Sequence, residues 1–159
     1  MYYEKKRPQL KPYKLPESVL VVIHADDGQV LLLERADHPG WWQSVTGSRE
    51  AGENLQDTAR REVSEETGLD VAAYPPVSWG YSNVYEIFPC YRHRYAPGTT
   101  HNTEHVFGMR LPQPMAVRLS PGEHLGWRWL PAAEAAALCF SPSNAAAIRR
   151  LLSRGGALL

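Results

Sequence analysis

The chain has 159 residues, 43% apolar and 21% charged, enough for one domain with a real hydrophobic core. Seventeen basic residues balance seventeen acidic ones, so a bulk basic field for nucleic acid is excluded. No apolar run approaches the roughly eighteen residues of a membrane span, and the start MYYEKKRPQLKPYK lacks the apolar stretch of a signal peptide. A cytoplasmic setting is therefore expected, with neither membrane nor nucleic acid as a partner.

Residues 1–12 are polar and basic, carry Pro8 and Pro12, and read as a flexible arm. Ser18 to His24 is a continuous β-branched run that predicts a strand buried on both faces, with Lys14 standing just before it. Asp26-Asp27-Gly28 is a turn signal, so residues 18–35 read as a hairpin whose second strand, Gln29 to Arg35, ends on an arginine. Arg35 is read either as a surface ion-pair partner or as a residue facing the site. A loop at Asp37-His38-Pro39-Gly40 leads into Trp41-Trp42-Gln43-Ser44-Val45-Thr46. One tryptophan is expected under the sheet and the other against a ligand cleft.

The next stretch, Gly47 to Leu69, reads GSREAGENLQDTARREVSEETGL. Its second half predicts a helix. Asn54 can cap its amides, Asp57 suits the positive end of the dipole, and Gly68 suits a left-handed C-terminal cap. Leu55, Ala59 and Val63 make an apolar edge. Glu62, Glu65 and Glu66 share another face one turn apart, where like charges repel. Two readings fit these carboxylates. One is a solvated acidic face braced by Arg60 and Arg61. The other is a ligand set for a hard divalent cation, with Glu53 as a further carboxylate.

Residues 70–73 are read as a short strand broken by Pro75-Pro76, and Val77 to Phe88 as a longer one. Cys90 to Gly98 places Arg92, His93 and Arg94 beside two tyrosines, either an exposed hairpin rim or an anion-facing wall. Thr103 to Leu111 is a strand that Met115 to Leu119 is expected to follow back. A turn at residues 120–124 precedes the strand Leu125 to Leu130. Pro131 opens an Ala-rich helix through Cys139, and Ser141-Pro142-Ser143 opens another whose apolar face is Ala147, Ile148, Leu151 and Leu152. Cys90 and Cys139 read as reduced, buried thiols, and residues 154–159 as a frayed tail. Strands, a helix, strands and then helices imply an α/β fold, a mixed sheet between helices, spanning residues 13–153 as a single domain.

The spacing decides between the two readings of the acidic helix. Gly47, five residues, Glu53, seven residues, then Arg61-Glu62-Val63-Ser64-Glu65-Glu66-Thr67-Gly68-Leu69 resembles the Nudix box at every constrained position. Seven fixed identities coincide by chance with a probability on the order of 10⁻⁸ per starting point. Beyond the box, WQSVTGS, YRHRYAPG followed by NTE, and EH followed by WRWL resemble the dihydroneopterin triphosphate diphosphatase family of bacterial folate synthesis. The resemblance implies a Nudix fold, an α/β/α sandwich. It implies Mg²⁺, with Mn²⁺ able to substitute, held by Glu62, Glu66 and Glu123, with Glu65 or Glu123 as base and Arg61 orienting the glutamates. It also implies substrate contacts from Lys14, Arg35, Thr46, Tyr85, Glu86, Ile87, Phe88 and Ser141. The implied reaction is hydrolysis of a small-molecule triphosphate, dihydroneopterin triphosphate, to the monophosphate and pyrophosphate. The rivals are a house-cleaning nucleotide pyrophosphatase, a Nudix-fold binding module without catalysis, and an enzyme acting on RNA 5′-triphosphates. The first shares every box residue; the second would be expected to lose glutamates that are all present here; the third would want a basic track.

Overall fold

A computed structural model describes residues 12–153; the expected arm (all but Pro12) and the tail lie outside the described residues. Four strands open the fold: β1 (Glu17–Ala25), β2 (Gln29–Arg35), β3 (Trp42–Gln43) and β4 (Val45–Ser48). Helix α1 (Leu55–Thr67) follows, then β5 (Val77–Glu86), a 3₁₀ turn over Pro89–Arg94, β6 (His101–Leu111), β7 (His124–Pro131), α2 (Ala132–Leu138) and α3 (Pro142–Ser153).

The β-branched run of β1 forms the centre of the molecule, with eight of its nine residues buried. It pairs in parallel with β6 from Glu17–Thr103 to Ala25–Leu111. On its other edge β1 meets β2 only at His24–Val30, beside the Asp26-Asp27-Gly28 turn. The expected hairpin therefore closes at its tip and then splays. β4 takes the freed edge of β1 over Ser18–Val21, while β2 pairs along its length with β7. The wedge between the diverging strands is where a site can open. Residues 42–48, to which sequence patterning assigns no element, thus supply two short strands.

Helices cover both faces. On one, Ala59 and Val63 of α1 bury against Val19, Val21, Ile23 and Met109, with Leu55 packed at the edge. On the other, α2 and α3 bury Ala135, Ala147, Ile148 and Leu151 against Leu20, Val22, Leu32 and Val106. Alternate residues of β1 serve opposite layers, as a two-fold repeat requires. Leu152, expected on this face, is 48% exposed, because at one position past Leu151 it turns out of the layer.

Three further expectations are corrected. Residues 70–73 form a turn, since Asp70 Oδ1 accepts from the amides of Ala72 and Ala73 at 3.0 and 3.1 Å and so competes with any strand ladder. Met115 to Leu119 joins no strand. It runs as irregular chain over α1's core, with Arg118 N–H donating to Thr67 O at 2.8 Å and Met115 O accepting from Trp129 Nε1 at 2.9 Å. Cys90 is exposed on the 3₁₀ turn and not buried; Cys139, free and partly buried, has its thiol pushed up to about 12 by burial.

Candidate active site

Helix α1 carries the acidic face, and its ends are fixed as the sequence requires. Asn54 Oδ1 accepts from Asp57 N–H at 2.8 Å, and Gly68 closes the helix at φ 70°, a left-handed conformation that glycine adopts without penalty. Arg61 uses all five guanidinium N–H groups. Nε and Nη2 donate to Glu53 at 2.8 and 3.1 Å, Nη2 also to Ser48 O at 3.0 Å, and Nη1 to Glu62 and Glu65 at 3.1 and 3.3 Å. These bonds hold the Glu53 carboxyl at about 2. Glu53 also accepts from the Glu50 amide and the Thr58 hydroxyl, so it braces the loop before the helix. Arg61, Glu53 and Gly68 therefore lie behind the site, not in its lining.

Glu62 and Glu66 face the cleft. Glu66 is 4% exposed, and its Oε1 has no hydrogen-bond partner among the described residues; His124 Nε2 stops 3.6 Å away. Burial pushes both carboxyls up, Glu66 most, because the Glu62 charge adds to it. Burial lowers His124, disfavouring the imidazolium that could pair with Glu66. Gly47 lies directly against this pair: a Cβ on it would overlap the Glu62 side chain. A buried carboxylate with an orphan oxygen and a partly buried one seated against Gly47 form a donor set that fits a hard divalent cation. Among the described residues no three acidic, His or Cys side chains already converge as a closed cage. Further oxygens would come from Glu123, Glu65 or a substrate.

The cleft, of about 400 Å³, sits in the wedge between the splayed strands and is of ordinary size for a small-molecule site. Glu62, Glu65, Glu66 and Glu123 line its acidic end, with Gly47 and Thr46 beside them. Lys14, Arg35 and Arg94 also line it. Burial and the neighbouring Arg94 charge lower Lys14. Arg35 is gripped by Asp37 through two 2.8 Å bonds, and the Arg35 and Arg94 guanidiniums both approach the Tyr91 ring, 4.8 and 4.7 Å from its centroid. Arg35 holds the Asp37 carboxyl at about 2. Of the three cations in the Arg92-His93-Arg94 run, then, Arg94 faces the cleft; Arg92 pairs with Glu86.

Tyr85, Ile87, Phe88 and Ser141 all reach the lining; Glu86 does not. Alternation along β5 turns Glu86 outward beside Tyr85, where it pairs with Arg92. The tryptophans divide as expected in part. Trp42 packs against the α2–α3 core, but Trp41 stands behind the lining, stacked on Phe140 at 4.4 Å and on His38 at 4.0 Å. Phe140, Tyr91 and the polar floor of Ser18, Asn102, Glu104 and Asn144 were not singled out from sequence. The signals available were the NTE stretch that holds Asn102 and Glu104 and their polar alternation on β6.

The NUDIX domain profile matches residues 14–151. The chain belongs to the NUDIX domain family. Its acidic helix is the Nudix box, and its mixed sheet between helices is the Nudix fold. The chain is 47% identical over 145 residues to dihydroneopterin triphosphate diphosphatase of Escherichia coli, spanning 89% of this chain and 95% of that one. It is 41% identical over 143 residues to the Haemophilus influenzae protein of the same name, spanning 88% and 89%. The solved Escherichia coli dihydroneopterin triphosphate pyrophosphohydrolase superposes with a TM-score of 0.85 at 46% identity, covering 91% of this chain and 99% of that structure. Nudix hydrolases of this kind work with divalent metal on small phosphate compounds, and no helix among the described residues is long and apolar enough to cross a membrane.

Proposed function

We propose that this Nudix hydrolase converts 7,8-dihydroneopterin triphosphate to the monophosphate and pyrophosphate with Mg²⁺, or Mn²⁺ in its place, in the cytoplasm. The chemistry rests on one observation above all, the buried Glu62–Glu66 pair with its orphan oxygen at one end of a cleft whose walls carry three cations. The substrate rests on the likeness to two diphosphatases along nearly the whole chain.

In this reading Glu62 and Glu66 hold the divalent ion, and Glu123 adds a ligand from the loop before β7. Bound there, such an ion would offset charge developing on the leaving group and would lower the pKa of water. Water attacks one of the two phosphorus atoms of the α–β phosphoanhydride, the bridging P–O bond breaks, and the fragment that is not attacked leaves with the bonding electrons. Glu65 and Glu123 are the carboxylates placed to take the proton released. Lys14, Arg35 and Arg94 meet the phosphate oxygens, and their attraction grows in a cleft that excludes water. Arg61 fixes Glu62 and Glu65 without touching substrate. Tyr85, Ile87, Phe88, Thr46 and Ser141 border the ring.

Purified protein should turn over dihydroneopterin triphosphate with a higher kcat/KM than any dNTP, oxidised purines included, at equal low concentration. A preference for dNTPs would replace the assignment by nucleotide house-cleaning, which needs the same box.

A further inference from the structure

We infer that Glu104 reads the 2-amino-4-oxo edge of the substrate's ring, so that the site selects pterin and guanine rings over rings lacking that edge. The inference rests on the proposed pterin reading for its main substrate, but its test does not.

Glu104 lies on β6 with its side chain on the α2–α3 side of the sheet, in the register of Asn102 and Val106. It is 5% exposed and yet lines the cleft. A buried carboxylate is costly unless its oxygens are satisfied. Ser143 Oγ donates to Oε1 at 2.9 Å, and Asn83 gives a side-chain hydrogen bond. A carboxylate offers about four lone-pair sites, so these two leave acceptor capacity facing the cleft. Burial raises the Glu104 carboxyl, and among the described residues no arginine or lysine offsets that rise, unlike Glu53 or Asp37. Two residues earlier, Asn102 is 1% exposed and its Oδ1 has no partner among the described residues, while its Nδ2 donates to Ser18 Oγ at 2.8 Å and to Tyr85 Oη at 3.2 Å. Glu104 is therefore a buried carboxylate with lone pairs to spare in the lining of the cleft, which also includes the apolar Leu20 and Phe140.

A flat ring bound there must bring donors. The pterin edge presents N3–H and the 2-amino group side by side, which matches the two oxygens of one carboxylate and makes charge-assisted bonds. Guanine carries the same edge. Hypoxanthine lacks the 2-amino group, and adenine and cytosine put a ring acceptor where N3–H should be. A site built to bond a donor discriminates strongly against the analogue without it, because its own buried acceptor is left unpaired.

The experiment compares kcat/KM of wild type and Glu104→Gln with dihydroneopterin triphosphate, dGTP, dITP and dCTP. Wild type should prefer dGTP over dITP by about 10-fold or more. In E104Q the dGTP-to-dITP ratio should fall to about one, and dihydroneopterin triphosphate turnover should fall about 100-fold, while dCTP changes little. Circular dichroism confirms the fold of the variant. If E104Q does not fold, the wild-type ratio decides alone: equal use of dGTP and dITP overturns the inference. A uniform loss on all four substrates overturns it too, since that marks a structural role. Slow turnover of dihydroneopterin triphosphate by wild type, with the dGTP preference intact, would sink the pterin assignment and leave Glu104's role standing.

Discussion

Replacing Arg61 by lysine separates the charge of this residue from its shape. The guanidinium spends five donors on Glu53, Glu62, Glu65 and Ser48 O, whereas an ammonium has three donors and no fork. The magnitude follows from Glu53, whose carboxyl is held at about 2 instead of 4.5, chiefly by its bonds to Arg61. At about 1.4 kcal/mol per pKa unit that displacement corresponds to about 3 kcal/mol. Solvent screening at this rim position and the charge that lysine retains leave roughly half of it, about 1.5 kcal/mol. For a chain of this length the melting temperature should fall by about 3–6 °C, read by circular dichroism with chelator present. The pH dependence carries the sharper signature. A depressed carboxyl contributes fully above its unfolded value and loses that contribution as pH falls through the folded one. The gap between wild type and R61K should therefore be constant above pH 5 and shrink by roughly a third at pH 3. An equal gap at both pH values, or none at pH 7, would refute the reasoning.

Gly47→Ala should keep the fold but push the Glu62 carboxylate off its seat, lowering kcat on the order of 100-fold or more; activity near wild type would show that Glu62 is not needed where it stands. Glu66→Gln should raise the metal-free melting temperature at pH 8 and leave it close to wild type near pH 4.5. The sign follows from a carboxyl raised above its unfolded value, which costs stability as pH climbs past that value. Divalent metal at a hundred times its Kd should stabilise wild type by about 2.7 kcal/mol and E66Q far less, in the same melting experiment. Asn144→Ala strips Ser44 of the bonds that its buried amide and hydroxyl make at 2.8 and 2.9 Å. It should cost about 2–4 kcal/mol in urea unfolding with an unchanged slope; a loss under 0.5 kcal/mol, on the order of a neutral surface change, would show that the pair does not tie α3 to the β3–β4 segment.

Helix α1, its caps, β1 and the helical faces were legible because each is specified locally: an Asx cap, a glycine stop, a β-branched run and a 3.6-residue period. The acidic cluster was legible for the same reason, since Glu62 and Glu66 are one turn apart whatever the rest of the chain does. Where tertiary context decides, patterning fell short. In Asp70 to Ala73 the apolar residues after Asp70 read as a strand, and the local turn signal was Asp70 itself, whose side chain accepts from Ala72 and Ala73. Met115 to Leu119 alternates like a strand because it covers an apolar core, though it pairs with no strand. β3 and β4 exist because β1 and β2 splay, an event set by β6 and β7 far along the chain. The polar floor is of the same kind. Ser18, Asn102, Glu104 and Asn144 come from three distant segments, and only β6's alternation hinted that Asn102 and Glu104 share a face. Arg94 was read with Arg92 and His93 as one run; the 3₁₀ turn separates them by sending one arginine to Glu86 and the other to the cleft.

The capture of metal by α1 is tested most directly by anomalous diffraction at the manganese edge, on crystals grown with Mn²⁺ and a non-hydrolysable triphosphate analogue. The account predicts a peak bonded to carboxylate oxygens of Glu62 and Glu66, with phosphate oxygens completing its shell. Manganese ordered at another place, with Glu66 still buried and unligated beside the bound analogue, would contradict it.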